Sequence, residues 1–380
     1  MAFFIYNGRM NIVVQAADLD AARVDGTRVY LHELLRRFGT IAPEERFTIC
    51  HKGTFNPELA PPGLPNYSFE AIPGERLWMQ TGFAKRLFEL RPEKVFIPLQ
   101  AVPVATPAGT EIIATVHDLA FRYFPKTFPV AARAKLNLLL GVMVRKAGKI
   151  IAVSEATKLD LIKFFPDIPS SRIRVIHHGV NADIYSRVVA DGEMAEVLSK
   201  YGLERESYVL YVGAIQPRKN LVRLVAAFEA AKRRHPEMKL VIVGEKAWLS
   251  DAIVARMERS PNAPDIIRTG KVPFSELPAW YQGARLFAFP SLYEGFGLPL
   301  LEAFAAGTPV LSGSISSLPE VGGDAALYAD PHVDGDIAKK LLMLWEDEKL
   351  RDLLRARGRE RVKLFSWDRC AEETLSYIVE

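Results

Sequence analysis

Short runs rich in valine and isoleucine alternate with longer segments of helical apolar spacing along almost the whole chain, and few folds accommodate that rhythm. It is the pattern of βαβ units, in which a strand feeds a crossover helix and then pairs in parallel with the next strand. MNIVVQ, FTICH, KVFIP, IIATVH, KIIAVS and RIRVIHHGV read as buried strands of a first parallel sheet. Ser154 predicts an N-cap for the helix that follows KIIAVS. Residues 181–206 turn polar and lose the strand rhythm. A second series then begins with YVLYVGA and continues through KLVIVGE, IIRTGKV, LFAFPSL, TPVLSG and AALYADP. Two consecutive α/β domains follow, predicted as 1–185, a linker at 186–206, a second domain over 207–365 and a final helix at 366–380, with Ser366 as its N-cap.

Composition narrows the functional classes. At 49% hydrophobic over 380 residues the chain can bury large cores and lacks the signature of disorder. Cys50 and Cys370 alone build neither a disulfide framework nor a Cys-based zinc site, which fits a reducing compartment. No apolar run reaches the roughly 18 residues of a spanning helix, and the start MAFFIYNGRMNIVV lacks the pattern of a signal peptide. The expected location is therefore the cytoplasm, or the inner face of a membrane. The net charge of +4 is uneven: residues 1–180 hold 23 Lys+Arg against 16 Asp+Glu, +7, and the remainder 26 against 29, −3. A basic half suits an anionic membrane or a phosphorylated substrate. Nucleic acid is not expected, because no recognised binding motif is present.

Ligands of open parallel sheets bind beyond the carboxyl ends of the strands, so chemistry is sought just after them. Four places qualify: Asp25-Gly26-Thr27, His117-Asp118, Gly213 to Asn220, and Glu294 to Glu302. In YEGFGLPLLEAFAAGTPV, Pro299 helps to start a helix that Gly307 ends. The N–H groups around Gly297 and Leu298 would face a phosphate. Glu294 could then accept from sugar hydroxyls, and Glu302, a turn inside, from the vicinal hydroxyls of a ribose.

This segment, with Glu294 and Glu302 eight residues apart, resembles the carboxylate motif of the retaining glycosyltransferases of family 4. TVHDLAFRYFP, IAVSEATKLDLI, VIHHGVN, YVGAIQPRKNL, LVIVGE, LPEVGGDAALYADP and FSWDRCAEETL resemble that family in the same order. The resemblance implies the α/β GT-B architecture: an N-terminal acceptor-binding and a C-terminal nucleotide-sugar-binding Rossmann-like domain facing across a cleft, with the last helix crossing back to the first. It makes Glu294 the ligand of the donor sugar's hydroxyls, Glu302 the ribose ligand, Lys219 the cation on the leaving diphosphate, and His117 a contact near the reacting centre. Gly26, Thr27, Asp118, Gly213, Asn220, Lys271, Val272, Phe296, Gly297 and Leu298 complete the implied donor site. Two departures stand out. Ala214 occupies a place where many members have Arg, a charge that Arg218 could supply, and Asp25 replaces one glycine of a two-glycine loop. His177 and His178 are read as interdomain packing.

The tripeptides Asp18-Leu19-Asp20 and Asp334-Gly335-Asp336 are weak matches to a metal-binding Asp-x-Asp, and neither a metal nor a cofactor is expected. Family resemblance implies transfer with retention, for which a same-face route, with the diphosphate oxygen assisting, fits best. The favoured donor is GDP-mannose, then a UDP-sugar, and the acceptor a saccharide that a lipid diphosphate could carry. Residues 126–149 mix Lys126, Arg133, Lys135, Arg145, Lys146 and Lys149 with an apolar run, and fit equally a membrane-surface helix and an ordinary helix with solvated lysines. The competing function is a nucleotide-sugar 2-epimerase on the same architecture.

Overall fold

A computed structural model describes residues 10–22, 24–74 and 77–380. The chain forms two compact units, one of residues up to Phe121, Phe128–His178 and Trp367–Glu380, the other of Arg122–Thr127 and Gly179–Ser366. Each is built on one parallel sheet. The first sheet comprises β1 (Asn11–Gln15), β2 (Arg46–His51), β3 (Tyr67–Ala71), β4 (Lys94–Ile97), β5 (Glu111–Val116), β6 (Lys149–Ala152) and β7 (Ile173–Val175), in the order β3-β2-β1-β4-β5-β6-β7. The second comprises β8 (Tyr208–Val212), β9 (Lys239–Val243), β10 (Ile266–Gly270), β11 (Leu286–Phe289), β12 (Val310–Gly313) and β13 (Ala326–Ala329), in the order β10-β9-β8-β11-β12-β13. Both share the doubly wound order of nucleotide-binding folds, reversing direction beside the first strand, at β1/β4 and at β8/β11.

The central strands are fully buried because helices cover both faces, as the unbroken runs in IIATVH and KLVIVGE require. The edge strand β3 was not visible as such a run. Its YSFEA is largely exposed, with Phe69 39% exposed, so the buried-strand signature is missing and His117 follows the fifth strand of its sheet rather than the fourth.

Residues 186–206 are not an open connection. They carry the helix Asp191–Ser199, whose Met194, Val197 and Leu198 are buried against the helix Leu277–Gly283. The closing helix Trp367–Val379 packs in the first unit against the helix Gly26–Ile41. Trp367, Cys370, Ala371, Leu375 and Ile378 are its buried face. Arg37 Nε binds Asp368 at 2.5 Å, and Arg174 holds Glu380 through both carboxylate oxygens at 2.9 and 2.7 Å.

Candidate functional site

In the second sheet the switch between β8 and β11 brings two charged loops together. After β8 the chain passes Gly213 and makes a single turn, Pro217–Lys219, before the helix Leu221–Lys232. Asn220 closes that turn at φ 62°, and its side-chain amide donates to the carbonyls of Pro290, at 2.9 Å, and Pro331, at 2.7 Å. The Leu292 N–H donates to the Arg218 carbonyl at 2.8 Å. The turn bearing Arg218 and Lys219 is thereby fastened to the loop that leaves β11.

Glu294 lies where these loops meet. Lys219 Nζ donates to one of its oxygens at 2.6 Å and Arg218 Nη1 to the other at 2.8 Å. Burial opposes ionisation of this carboxyl, but Arg218 and then Lys219 outweigh it and hold its pKa down to about 2. Both Lys219 and Glu294 are more than nine-tenths buried, so the pairing acts in a weakly screened environment. The trio carries two positive charges and one negative. Arg218 and Lys219 precede a helix start, where the dipole disfavours cations, and an anionic ligand gives their placement a use.

Gly297 starts the helix Leu298–Ala306 at φ 115°, a backbone that favours glycine, and Pro299 fills its first turn. Pro299 has no N–H and the Leu300 N–H donates to the Gly297 carbonyl at 3.0 Å, so what this helix start offers an anion is the positive end of its dipole and the backbone beside Gly297. Three loop contacts hold it: Ser316 and Ser317 hydroxyls donate to the Glu294 carbonyl at 2.5 and 2.9 Å, and Ser317 also reaches the Phe296 carbonyl at 2.7 Å. Phe296 contributes backbone here, because its ring packs 5.8 Å from that of Phe365. Glu302 lies one turn further on. The Tyr281 hydroxyl donates to its Oε2 at 2.7 Å, and burial raises its pKa against the opposing effect of Tyr281 and Tyr185.

The ends of β8, β9 and β10 are laced beside this loop. Gly213 N–H donates to Val243 O and Gly244 N–H to Gly270 O, both at 2.9 Å. Gly244 stands at φ 145°, and a Cβ there would lie 2.1 Å from the Gly213 carbonyl oxygen. Lys271, exposed, and Val272, half-buried, follow Gly270 on the same edge. Ala214 leaves room for backbone: its carbonyl accepts from Tyr211 at 3.2 Å.

In the first unit the sequence-predicted residues gather near the β1/β4 switch, but with structural duties. Asp25 caps the helix Gly26–Ile41, accepting from the Arg28 N–H at 3.3 Å and pairing with the Arg28 guanidinium. The loop expected to offer bare backbone to a diphosphate thus already holds a carboxylate. Gly26 and Thr27 form the helix's first turn. His117 bonds the Pro98 carbonyl through Nε2 at 2.9 Å, and burial lowers its pKa. Asp118 accepts from the Ala120 N–H at 3.0 Å and starts a short helix. The His178 ring lies among Tyr30, His117 and Trp367 of its own unit, at 4.7, 5.5 and 5.7 Å.

Both Asp-x-Asp tripeptides are engaged in local structure. Asp20 accepts from the N–H groups of Lys52 and Gly53, each at 2.8 Å, while Asp334 pairs with Arg223 and Asp336 accepts from Asp330 N–H. Among the described residues no cluster of three or more His, Cys, Asp or Glu is arranged to hold a metal ion. Tyr281, Ser316 and Ser317 went unnoticed in the sequence. Tyr281 reads there as one more apolar position of a short helix, and the two serines as an ordinary turn after a strand.

Two doubly wound parallel sheets, the second with a cation-paired carboxylate and a helix start at its switch point, place the chain among two-sheet α/β proteins with a charged site where such sheets bind ligands. Residues 194–361 match the family described as Glycosyl transferases group 1, and residues 24–184 match Glycosyltransferase Family 4. The chain is 34% identical over 268 residues to O-antigen chain mannosyltransferase B of Escherichia coli, covering 70% of this chain and 69% of that one. It is 31% identical over 226 residues to the serotype-specific mannosyltransferase WbdA of Escherichia coli, covering 58% of this chain and 27% of that longer protein. Among solved structures, sucrose-phosphate synthase from Thermosynechococcus elongatus superposes with a TM-score of 0.76 at 19% identity, over 97% of this chain and 98% of that one, a likeness of fold. The chain belongs to the group 1 glycosyltransferases, of GT-B fold, and is a glycosyltransferase.

Proposed function

We propose that this enzyme moves a hexose, mannose first, from a nucleotide-diphosphate sugar to a saccharide acceptor carried on a lipid diphosphate, in polysaccharide assembly. The observation that carries the reading is the buried Arg218–Lys219–Glu294 cluster beside the start of the helix Leu298–Ala306. In it, Lys219 and Arg218 take the charge that develops on the departing diphosphate, with the helix start at Gly297. Glu294 accepts from the sugar's hydroxyls and Glu302 from the ribose. Gly213, Asn220, Lys271 and Val272 complete the nucleotide side, and the resemblance assigns His117, Asp118, Gly26 and Thr27 to the sugar and diphosphate.

A cluster of net positive charge beside a helix start offers a departing diphosphate stabilisation without a divalent ion, so the reaction is proposed to be metal-independent. Glu294, already held by two cations, is a poor nucleophile, which favours retention by a same-face route in which the leaving diphosphate oxygen takes the acceptor's proton. The mannosyltransferase names of the relatives support mannose as the sugar, and GDP is proposed as its carrier.

No described helix is long and apolar enough to cross a membrane. The helix Val130–Lys146 nevertheless exposes Val130 and Leu138 beside exposed Lys135, Arg145 and Lys146, which supports peripheral contact with an anionic leaflet.

A thermal-shift panel of GDP, UDP, ADP and their sugar conjugates, run in chelator, tests the donor assignment, because a ligand of the folded state raises apparent stability. A shift by guanine nucleotides above the others is expected. No shift by any nucleotide, or one that needs divalent ions, would refute it.

A further inference from the structure

Glu302 does not stand alone on its helix. Its Oε2 accepts from the Tyr281 hydroxyl at 2.7 Å, and Tyr281 comes from another element, the helix Leu277–Gly283 that precedes β11. The tyrosine ring is fully buried and fixed edge-on to Tyr185, at 5.8 Å, and to Phe287, at 5.4 Å. Its hydroxyl therefore cannot follow a moving carboxylate. A ring locked at both sides offers a single donor direction, and the carboxylate must orient to it.

We infer that Tyr281 is the positioning residue for ribose recognition: its hydroxyl fixes one oxygen of Glu302 and turns the remaining acceptor sites toward the vicinal 2′- and 3′-hydroxyls of the donor nucleoside. The inference rests on the donor-site reading above, in which Glu302 is the ribose ligand.

A carboxylate binds a vicinal diol well only if its plane is set to receive two O–H groups together, and a free Glu rotor pays for that orientation at each binding event. The Tyr281 hydrogen bond sets the plane before the ligand arrives. It also opposes the rise that burial gives the Glu302 pKa. Burial pushes the Glu302 pKa up, and the titratable groups that face it, Tyr281 and Tyr185, both hold it down. The ionised form is the stronger acceptor for the two hydroxyls of a ribose. Removing the Tyr281 hydroxyl should therefore move the acid limit of nucleotide binding to higher pH.

The test compares the ribo- and 2′-deoxy forms of one nucleoside diphosphate, of whichever base binds, by calorimetric titration of the full chain. It is made with the unaltered protein, Tyr281→Phe, Tyr185→Phe and Glu302→Gln, from pH 5 to 8. The deoxy/ribo Kd ratio is a comparison within each variant, so a general loss of stability does not move it. The unaltered protein should show a ratio of about tenfold or more, the worth of one hydrogen bond to a charged group. Tyr281→Phe should reduce that ratio to about threefold or less and raise the pH at which binding fails, while Tyr185→Phe does less on both counts. A Tyr281→Phe protein with the unaltered ratio and pH limit, beside a Glu302→Gln protein that has lost the ratio, would overturn this inference and leave the donor site standing. A Glu302→Gln protein that keeps the ratio would overturn the ribose assignment itself.

Discussion

Replacing Glu294 with glutamine removes one charge from a site that holds three, and its cost can be worked from the geometry. Lys219 and Arg218 lie 2.6 and 2.8 Å from the two carboxylate oxygens, with Lys219 buried. Breaking a buried pair leaves an uncompensated cation and costs about 3–5 kcal/mol. The ionisation of Glu294 gives a second figure. With the carboxyl held at about 2 in the folded protein against 4.5 for the unperturbed group, the linkage is worth about 3 kcal/mol. Because the folded pKa is the lower one, that stability is present above pH 4.5 and is lost as pH falls toward 2. About 2 kcal/mol of it should disappear between pH 7 and pH 3. Glu294→Gln should therefore unfold about 6–12 °C lower at pH 7, at the 2–4 °C per kcal/mol expected of a unit this size. Its stability should also decline less than that of the unaltered protein on acidification. Thermal and urea unfolding between pH 3 and 7 read both effects. A variant as stable as the unaltered protein at pH 7, or one with the same acid slope, would refute the account of this cluster.

Other substitutions probe other parts. Lys219→Ala should lower kcat/KM for sugar transfer by about 100- to 1000-fold, the usual worth of a group aimed at developing charge, with a smaller change in donor KM; equal losses in both would contradict its role. Gly244→Ala should destabilise by about 3 kcal/mol, since it adds strain at φ 145° to a collision with the Gly213 carbonyl, and urea unfolding measures it. Reversing Arg145 and Lys146 to glutamate should weaken binding to anionic vesicles by about tenfold or more in co-sedimentation, at about 1 kcal/mol per basic residue near the surface, and leave binding to neutral vesicles unchanged.

Fold class was legible because the central strands are buried on two faces and appear as unbroken apolar runs, while the edge strands β7, β10 and β13 keep enough Ile, Val, Leu and Ala to be read beside them. The remaining edge strand, β3, has most of its side chains in water, and its YSFEA carries no Ile or Val run to mark it. The Asp191–Ser199 helix escaped for a related reason: it buries three side chains on one face and is polar elsewhere, which reads as a linker. Within the site, Glu294 stood out in its glycine-flanked loop after a strand, and the family resemblance pointed to Lys219 and Arg218. That one carboxylate would serve both cations could not be read from residues 75 and 76 positions apart. Asp25 looked like a defect in a glycine loop, and its use as a helix cap emerges only from the Arg28 contacts. Tyr281 carried no signal of its own, because a buried tyrosine on a short helix differs from a core residue only by where its hydroxyl ends.

The most direct measurement is transfer itself: GDP-mannose incubated in chelator with the enzyme and a mannose-terminated saccharide on a lipid-like anchor, the product followed by mass and by anomeric NMR. The account predicts acceptor-dependent release of GDP and a new glycosidic bond with the donor's α configuration. Inverted linkage, an absolute need for divalent ions, or consumption of the donor to an epimer without acceptor would contradict it.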